Sequence, residues 1–131
     1  MTDVRITLES LNLVTSWTSE RYLKSQYVSA SRVPDAIMVL KNGQRVALEV
    51  EIARKGKDRY RRIFSEYLEK RFGKVDLLFY ACNTARQLEN LAKLTRDYRW
   101  VYFVLYQELM ENPKKALFSN HTDQFFLGEL L

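Results

Sequence analysis

The spacing of apolar and polar residues predicts a β-hairpin near the middle of the chain. Residues 36–40 form an apolar run, and residues 45–53 form a second mostly apolar segment that alternates between apolar and polar positions over residues 48–52, which is typical of strands. The Asn42-Gly43 pair between them favours a type I′ turn, because both residue types tolerate positive φ. We therefore expect two antiparallel strands joined at this turn.

Helical periodicity follows the hairpin. Apolar residues recur at three- and four-residue steps over residues 57–72, which predicts an amphipathic helix that ends at Gly73. A second helix is predicted over residues 85–97, with Thr84 as its N-cap. The tyrosines and phenylalanines of the first helix are predicted to lie in the core rather than to stack on bases.

The remaining segments carry weaker patterns. The apolar runs 75–81 and 100–106 do not alternate, as expected of strands that are buried on both faces. The N-terminal region favours a helix over residues 8–14 and a short helical turn over residues 19–24 that is capped by a serine or threonine. The chain after Asn112-Pro113 is left as a short tail without assigned structure.

These elements predict an α/β fold with a mixed central sheet, an antiparallel hairpin and flanking helices. A length of 131 residues suits a single domain, 1–131, with a sizeable core. No signal peptide is visible, and no apolar run approaches the ~20 residues that span a bilayer. We therefore expect a cytoplasmic protein without a membrane partner, in which the lone cysteine, Cys82, is a small core residue.

Acidic residues are placed unusually at the end of the predicted hairpin. Alternation puts Glu49 and Glu51 on one face of the second strand, and Leu48, Val50 and Ile52 on the other. The hairpin also brings Asp35, at the start of the first strand, close to both glutamates. Neighbouring carboxylates repel each other and are costly to desolvate, whereas a hard divalent cation relieves both costs. The pattern predicts a site for Mg²⁺ or Mn²⁺, and the alternative is a solvated strand edge that pairs with nearby lysines.

Positive charge is concentrated just after these acids. The formal net charge is +5, and residues 54–62 hold six cations opposed only by Asp58. Such a cluster suits a polyanionic partner, although it is also compatible with a solvated helix face. The cations are Arg54, Lys55, Lys57, Arg59, Arg61 and Arg62.

Together these motifs resemble the PD-(D/E)XK nuclease superfamily, which has a restriction-endonuclease-like fold. Pro34-Asp35 and Glu49 match its pattern, whereas Glu51 occupies the position of its lysine. Within the superfamily the chain is similar to bacterial replication-relaxation and plasmid-mobilisation proteins. That similarity covers roughly residues 4 to 106 and includes Trp17 to Glu20, Arg32 to Asp35, Ala47 to Glu51, Lys55, Lys57 and Arg59-Tyr60.

The resemblance implies a role for each matching residue. Asp35 and Glu49 would hold Mg²⁺ or Mn²⁺, and Glu51 would be a third ligand or the base that orients the attacking water. Lys57, or in second place Lys55, would replace the missing lysine. The implied DNA-binding residues are Lys55, Lys57, Arg59, Arg61 and Arg62.

The implied function is a metal-dependent endonuclease that acts on DNA phosphodiesters during plasmid DNA processing. The first alternative is a catalytically silent nuclease-fold protein that binds DNA and assists replication or mobilisation, and a protein-interaction module is the second. The partners implied are DNA and a relaxase or other mobilisation protein, and a homodimer stays open.

Overall fold

A mixed β-sheet forms the centre of the protein in a computed structural model that describes residues 2–28, 30, 32–51 and 55–131. Within these residues, seven strands are hydrogen-bonded in the same order as they occur along the chain. They are β1 (Val14–Ser19), β2 (Ala36–Leu40), β3 (Arg45–Val50), β4 (Leu77–Cys82), β5 (Val101–Leu105), β6 (Leu117–Ser119) and β7 (Gln124–Phe126).

Helices connect and cover the strands. β1, β2 and β3 are antiparallel, β3, β4 and β5 are parallel, and β6 and β7 return to antiparallel pairing. Parallel neighbours need a crossover connection, and α3 and α4 provide the two crossovers. The helices are α1 (Thr2–Ser10), α2 (Glu20–Gln26), α3 (Lys57–Leu68), α4 (Ala85–Leu94) and α5 (Tyr106–Glu111), followed by 3₁₀ turns at Pro113–Lys115 and Leu127–Leu130. The predicted α/β class, mixed sheet, hairpin and flanking helices are confirmed.

The sheet separates two apolar cores. One core, which we call the α1 face, is covered by α1 and α5 and includes Leu48 and Phe79. The other core, the α3 face, is covered by α2, α3 and α4 and includes Ala47 and Tyr80. Successive residues of one strand point to opposite faces, so β3 and β4 contribute to both cores. Cys82 is fully buried on the α3 face, as predicted.

The hairpin forms as predicted, but its turn is of a different type. Within the turn, Gly43 has positive φ (+88°) and Asn42 does not, so Asn42 does not adopt the conformation that a type I′ turn requires. Leu40 O accepts a hydrogen bond from Gly43 N, and Leu40 N donates to Gln44 O, which gives a three-residue loop. The Asn42 side chain stabilises this loop by accepting a hydrogen bond from Gln44 N (2.9 Å).

Two helix starts are confirmed by their caps. Ser19 Oγ accepts a hydrogen bond from Tyr22 N at the start of α2. Thr84 Oγ1 accepts one from Gln87 N at the start of α4. Both side chains satisfy backbone donors that the first helical turn leaves unpaired.

The two predicted helix ends lie too far along the chain. α3 ends at Leu68 rather than at residue 72, because Lys70 adopts a left-handed conformation (φ +56°). Arg71 N then donates to Glu66 O, and Lys70 N donates to Tyr67 O, which is a Schellman motif with lysine in the usual glycine position. α4 ends at Leu94 rather than at residue 97.

The N-terminal prediction of a helix over residues 8–14 is wrong. α1 ends at Ser10, and positive φ at Asn12 (+57°) turns the chain into β1, a strand that the sequence analysis missed. β1 is an edge strand made mostly of polar residues. Its sequence therefore shows no apolar alternation by which it could be recognised.

The C-terminal part also holds more structure than predicted. α5 and the short strands β6 and β7 were not assigned from the sequence. β4 and β5 begin and end within one or two residues of their predicted bounds. β3 ends at Val50, although Glu51 N still donates to Ala81 O, and the predicted extension to residue 53 lies outside the described residues. No helix among the described residues is long and apolar enough to cross a membrane.

Candidate functional site

Glu49 and Glu51 lie together on the α3 face, as strand alternation predicts. Their relative exposures are 5% and 1%, so the alternative of a solvated strand edge is wrong. Leu48 and Val50 point to the α1 face, and Ile52 lies outside the described residues. Two buried carboxylates in one strand need charged or hydrogen-bonding partners to offset their lost hydration.

Arg32 is the main partner of Glu49. Its Nη2 contacts both carboxylate oxygens of Glu49, at 2.6 Å from Oε1, while its Nη1 donates to Glu66 Oε1 at 3.0 Å. The Tyr67 hydroxyl donates to Glu49 Oε2 at 2.8 Å. One guanidinium group therefore bridges two buried acids, which a planar, forked donor does better than a lysine.

Burial favours a protonated carboxyl group at Glu49, although the charge of Arg32 opposes this. Burial raises the pKa of Glu49 to about 7, against the opposing effect of Arg32 and with a further rise from the nearby charge of Asp35. Burial alone would lower the pKa of Arg32, but Glu49 outweighs it and raises that pKa above its usual range. The pKa of Tyr67 is raised well above its ordinary value by burial and then by Glu49, so this phenol remains a donor.

Glu51 has a separate set of partners. Its Oε1 accepts hydrogen bonds from the hydroxyls of Tyr60 (2.6 Å) and Tyr80 (3.1 Å), and Lys55 Nζ lies 3.3 Å away. Gln87 Nε2 donates to the other oxygen, Oε2. Burial, followed by the interaction with Glu51, raises the pKa of both tyrosines, which keeps them protonated as donors. The predicted core position of Tyr60 is thus confirmed, with its hydroxyl group bound to a carboxylate.

Asp35 reaches β3 through a backbone contact. Its Oδ2 accepts a hydrogen bond from Val50 N at 2.6 Å, between the two glutamates in sequence. Burial raises the pKa of Asp35, the Val50 N–H opposes this, and the charge of Glu20 adds to the rise. The antiparallel register of β2 and β3 thus brings Asp35 to the end of β3.

A cavity of about 260 Å³ joins Asp35 and Glu49. Glu20, Arg32 and Lys55 also line it. Sequence reasoning did not identify Glu20 or Arg32 as site residues. The N-cap at Ser19 predicted the helix that carries Glu20, but no local pattern indicates which cavity a helix start faces.

The predicted lysines occupy different places. Lys55 lies beside Glu51 and lines the cavity that contains Asp35 and Glu49. Lys57 is exposed at the start of α3 and lines a larger groove instead. The other predicted DNA-binding residues of α3, Arg59, Arg61 and Arg62, are exposed, and Arg61 contacts Asp58 at 3.6 Å. Arg54 lies outside the described residues.

The three acids supply carboxylate oxygens that suit a hard cation, but in this structure those carboxylates are bound by other groups of the protein. Carboxylate oxygens are the ligands that Mg²⁺ and Mn²⁺ prefer. Among the described residues, however, no three His, Cys, Asp or Glu side chains form a group that could hold a metal ion. Asp35 and Glu49 share a cavity, whereas Glu51 is not among its lining residues. A cation bound to Glu49 must displace Arg32 from that carboxylate.

Comparison with known proteins gives no family for this chain. It matches no protein-family model, and no curated protein or solved structure is significantly similar to it. Its function must therefore be argued from the geometry of the cavity, the two glutamate networks and the surrounding charge.

Proposed function

We propose that the chain is a restriction-endonuclease-like domain that cuts DNA phosphodiesters with Mg²⁺ or Mn²⁺, in the processing of plasmid or other mobile DNA. The observation that carries this proposal is the cavity at the start of β2 and the end of β3. Asp35, just before β2, and Glu49, in β3, line it together with Glu20 and Lys55. Acidic oxygens for a cation and an ammonium group for a phosphate are the two components that this reaction needs.

In this proposal Asp35 and Glu49 hold the cation. A divalent ion there would polarise the phosphoryl oxygen and lower the pKa of its bound water. Lys55 stabilises negative charge on the phosphate, and it is preferred over Lys57 because only Lys55 lines the acidic cavity.

Glu51 then acts as a positioning residue rather than as a metal ligand. Unlike Glu49, it is not among the residues that line the acidic cavity, and its Oε1 lies 3.3 Å from Lys55 Nζ. The glutamate that replaces the lysine of the motif thus holds a lysine from four residues downstream beside the cavity. This contact gives a physical reason for the departure at Glu51.

A silent DNA-binding accessory protein is the second candidate, and Arg32 favours it. Its guanidinium group already neutralises Glu49 and is anchored by Glu66 as well. A permanent Arg32–Glu49 pair would replace the cation and leave a domain that binds DNA without cutting it. The two candidates differ in whether a metal displaces Arg32.

A cleavage assay separates the candidates. Purified protein is incubated with plasmid, single-stranded and branched DNA in Mg²⁺, Mn²⁺ or a chelator. The nuclease proposal expects cutting that requires metal and falls by orders of magnitude in Glu49→Gln and Lys55→Ala. Lys41→Ala, at an exposed position in the hairpin turn, is the matched control and should cut at close to the normal rate. DNA binding without cleavage of any substrate would instead support the accessory protein.

A further inference from the structure

A second and larger cavity lies beside the Glu51 network. It is a groove of about 840 Å³ between the start of α3 and the exposed side of α4. Tyr60 and Gln87, which both contact Glu51, form part of its wall. Lys55 lines both this groove and the acidic cavity, so the two spaces adjoin at one side chain.

The groove is strongly cationic. Lys55, Lys57, Arg86 and Lys93 line it, and no Asp or Glu is among its described lining residues. In the part of the chain that the structure describes, Lys57, Arg86 and Lys93 form no salt bridge. Three cations without a carboxylate partner around one concave surface favour an anionic ligand.

The remaining wall suits a nucleoside better than a simple anion. Leu94, which is partly exposed, provides apolar surface, and the exposed Asn90 presents an amide group. An amide can donate to and accept from the edge of a base. A volume of about 840 Å³ also lies within the roughly 300–1,000 Å³ typical of small-molecule pockets, which is more room than a phosphate needs.

We propose that this groove binds an unpaired nucleic-acid strand, with one nucleoside against Leu94 and Asn90 and its phosphates near Arg86 and Lys93. A paired base cannot enter the groove, because its edge and faces are occupied within the duplex. The inference rests on the proposed function in one respect: it supplies the path by which a strand reaches Asp35 and Glu49 past Lys55. It adds DNA contacts on α4 to Lys55 and Lys57, which the sequence analysis also named, and it assigns none to Arg59, Arg61 and Arg62.

Charge removal tests the path of the strand. The probe is a fluorescent oligothymidylate of about 12 nucleotides, within the usual range for single-strand sites, and binding is measured in a chelator over a range of salt concentrations. The Arg86→Ala/Lys93→Ala variant should bind about ten-fold or more weakly. Its slope of log affinity against log salt should decrease by about 1.4, which corresponds to two lost phosphate contacts.

Two control variants each lose two positive charges at positions outside the groove. Lys114→Ala/Lys115→Ala, in the 3₁₀ turn after α5, should stay within about two-fold of the wild type, because long-range attraction alone is screened by salt. Arg61→Ala/Arg62→Ala alters the exposed side of α3 and should also have the smaller effect. A larger loss in the α3 variant than in the α4 variant would overturn the groove assignment.

Filling the groove tests the place of the nucleoside. Asn90 is exposed, so Asn90→Trp occupies the groove without a change of charge. The wild type should bind the oligothymidylate about ten-fold more tightly than a duplex of equal length, and the variant should lose this preference while keeping its salt dependence. An unchanged preference would contradict the inference.

The failure of this inference is distinguishable from failure of the proposed function. If the affinity measured in a chelator is unchanged by the α4 substitutions, the groove assignment is wrong, but the proposal of metal-dependent cutting is unaffected. Groove-dependent binding by a protein that never cuts DNA supports the groove and rejects the nuclease.

Discussion

The two faces of the sheet are built from alternate residues of the same strands, yet they differ in chemistry. On the α1 face, Leu48 and Phe79 pack among apolar side chains. On the α3 face, the neighbouring positions Glu49 and Glu51 are buried with their cationic and phenolic partners. Replacing a buried ion pair by apolar residues is often neutral or stabilising, so the α3 face is not explained by stability. The comparison indicates that both faces hold an apolar core, and that the α3 face in addition carries the buried charged groups of the candidate site.

The largest effect on stability is expected on the α1 face. Phe79 is fully buried, with its ring centroid 4.6 Å from that of Phe118. Phe79→Ala should lower the free energy of unfolding by about 3–5 kcal/mol, because it leaves a cavity in the core. Urea unfolding measures this loss, and Ile6→Ala, at an exposed position, should change stability by about 0.5 kcal/mol or less. A loss near that of the control would mean that Phe79 does not contribute to a close-packed core.

The stability that Glu49 contributes on the α3 face should fall as the pH rises, which is the reverse of the effect of a carboxylate whose pKa is lowered by folding. Because the folded pKa of Glu49 is about 7 and its ordinary value is 4.5, the folded protein binds the extra proton between these values. The contribution of Glu49 to stability is therefore full below pH 4.5 and is lost as the pH rises through 7. Between pH 5 and pH 8 in a chelator, the wild type should lose about 2–3 kcal/mol relative to Glu49→Gln. Parallel pH profiles for the two proteins would show that Glu49 is ionised throughout.

Tyrosine hydroxyls allow a smaller and more closely matched comparison of the faces. Tyr67→Phe removes a buried donor to Glu49 and should cost about 1.5–3 kcal/mol, as for hydrogen bonds to charged groups. Tyr102→Phe, on the α1 face, removes a 3.3 Å contact with Asp123 at the surface and should cost about 1 kcal/mol or less. Urea unfolding at pH 8 compares them, and equal losses would contradict the distinction between the faces.

The fold was predictable where local patterns determine it. The strand β2, the alternation of Glu49 and Glu51, and the caps at Ser19 and Thr84 all follow from short-range spacing. The strand β1 was missed because its polar residues acquire their role only from pairing with β2. The end of α3 was misplaced because the C-terminal signal, positive φ at Lys70, lies on a residue type that rarely adopts it.

The candidate site was only partly predictable, since its partners come from distant parts of the chain. Asp35 and the two glutamates were identified from the hairpin, whereas the burial of Glu49 and Glu51 was not predicted. Arg32 contacts Glu49 from a segment without regular structure, and Gln87 reaches Glu51 from α4. No spacing rule links such residues, so the groove on α4 also required the tertiary structure.

The most direct test of the central claim is metal binding at Asp35 and Glu49. Thermal unfolding is followed during a Mn²⁺ titration of the wild type and of Asp35→Asn/Glu49→Gln, with Asp58→Asn/Glu69→Gln as a control that neutralises two exposed acids. We expect the Tm of the wild type and the control to rise with Mn²⁺, by an amount equivalent to about 2.7 kcal/mol at a metal concentration of about 100 Kd. The Asp35→Asn/Glu49→Gln protein should show no such rise. The same rise in all three proteins, or none in the wild type, would contradict a cation site at Asp35 and Glu49.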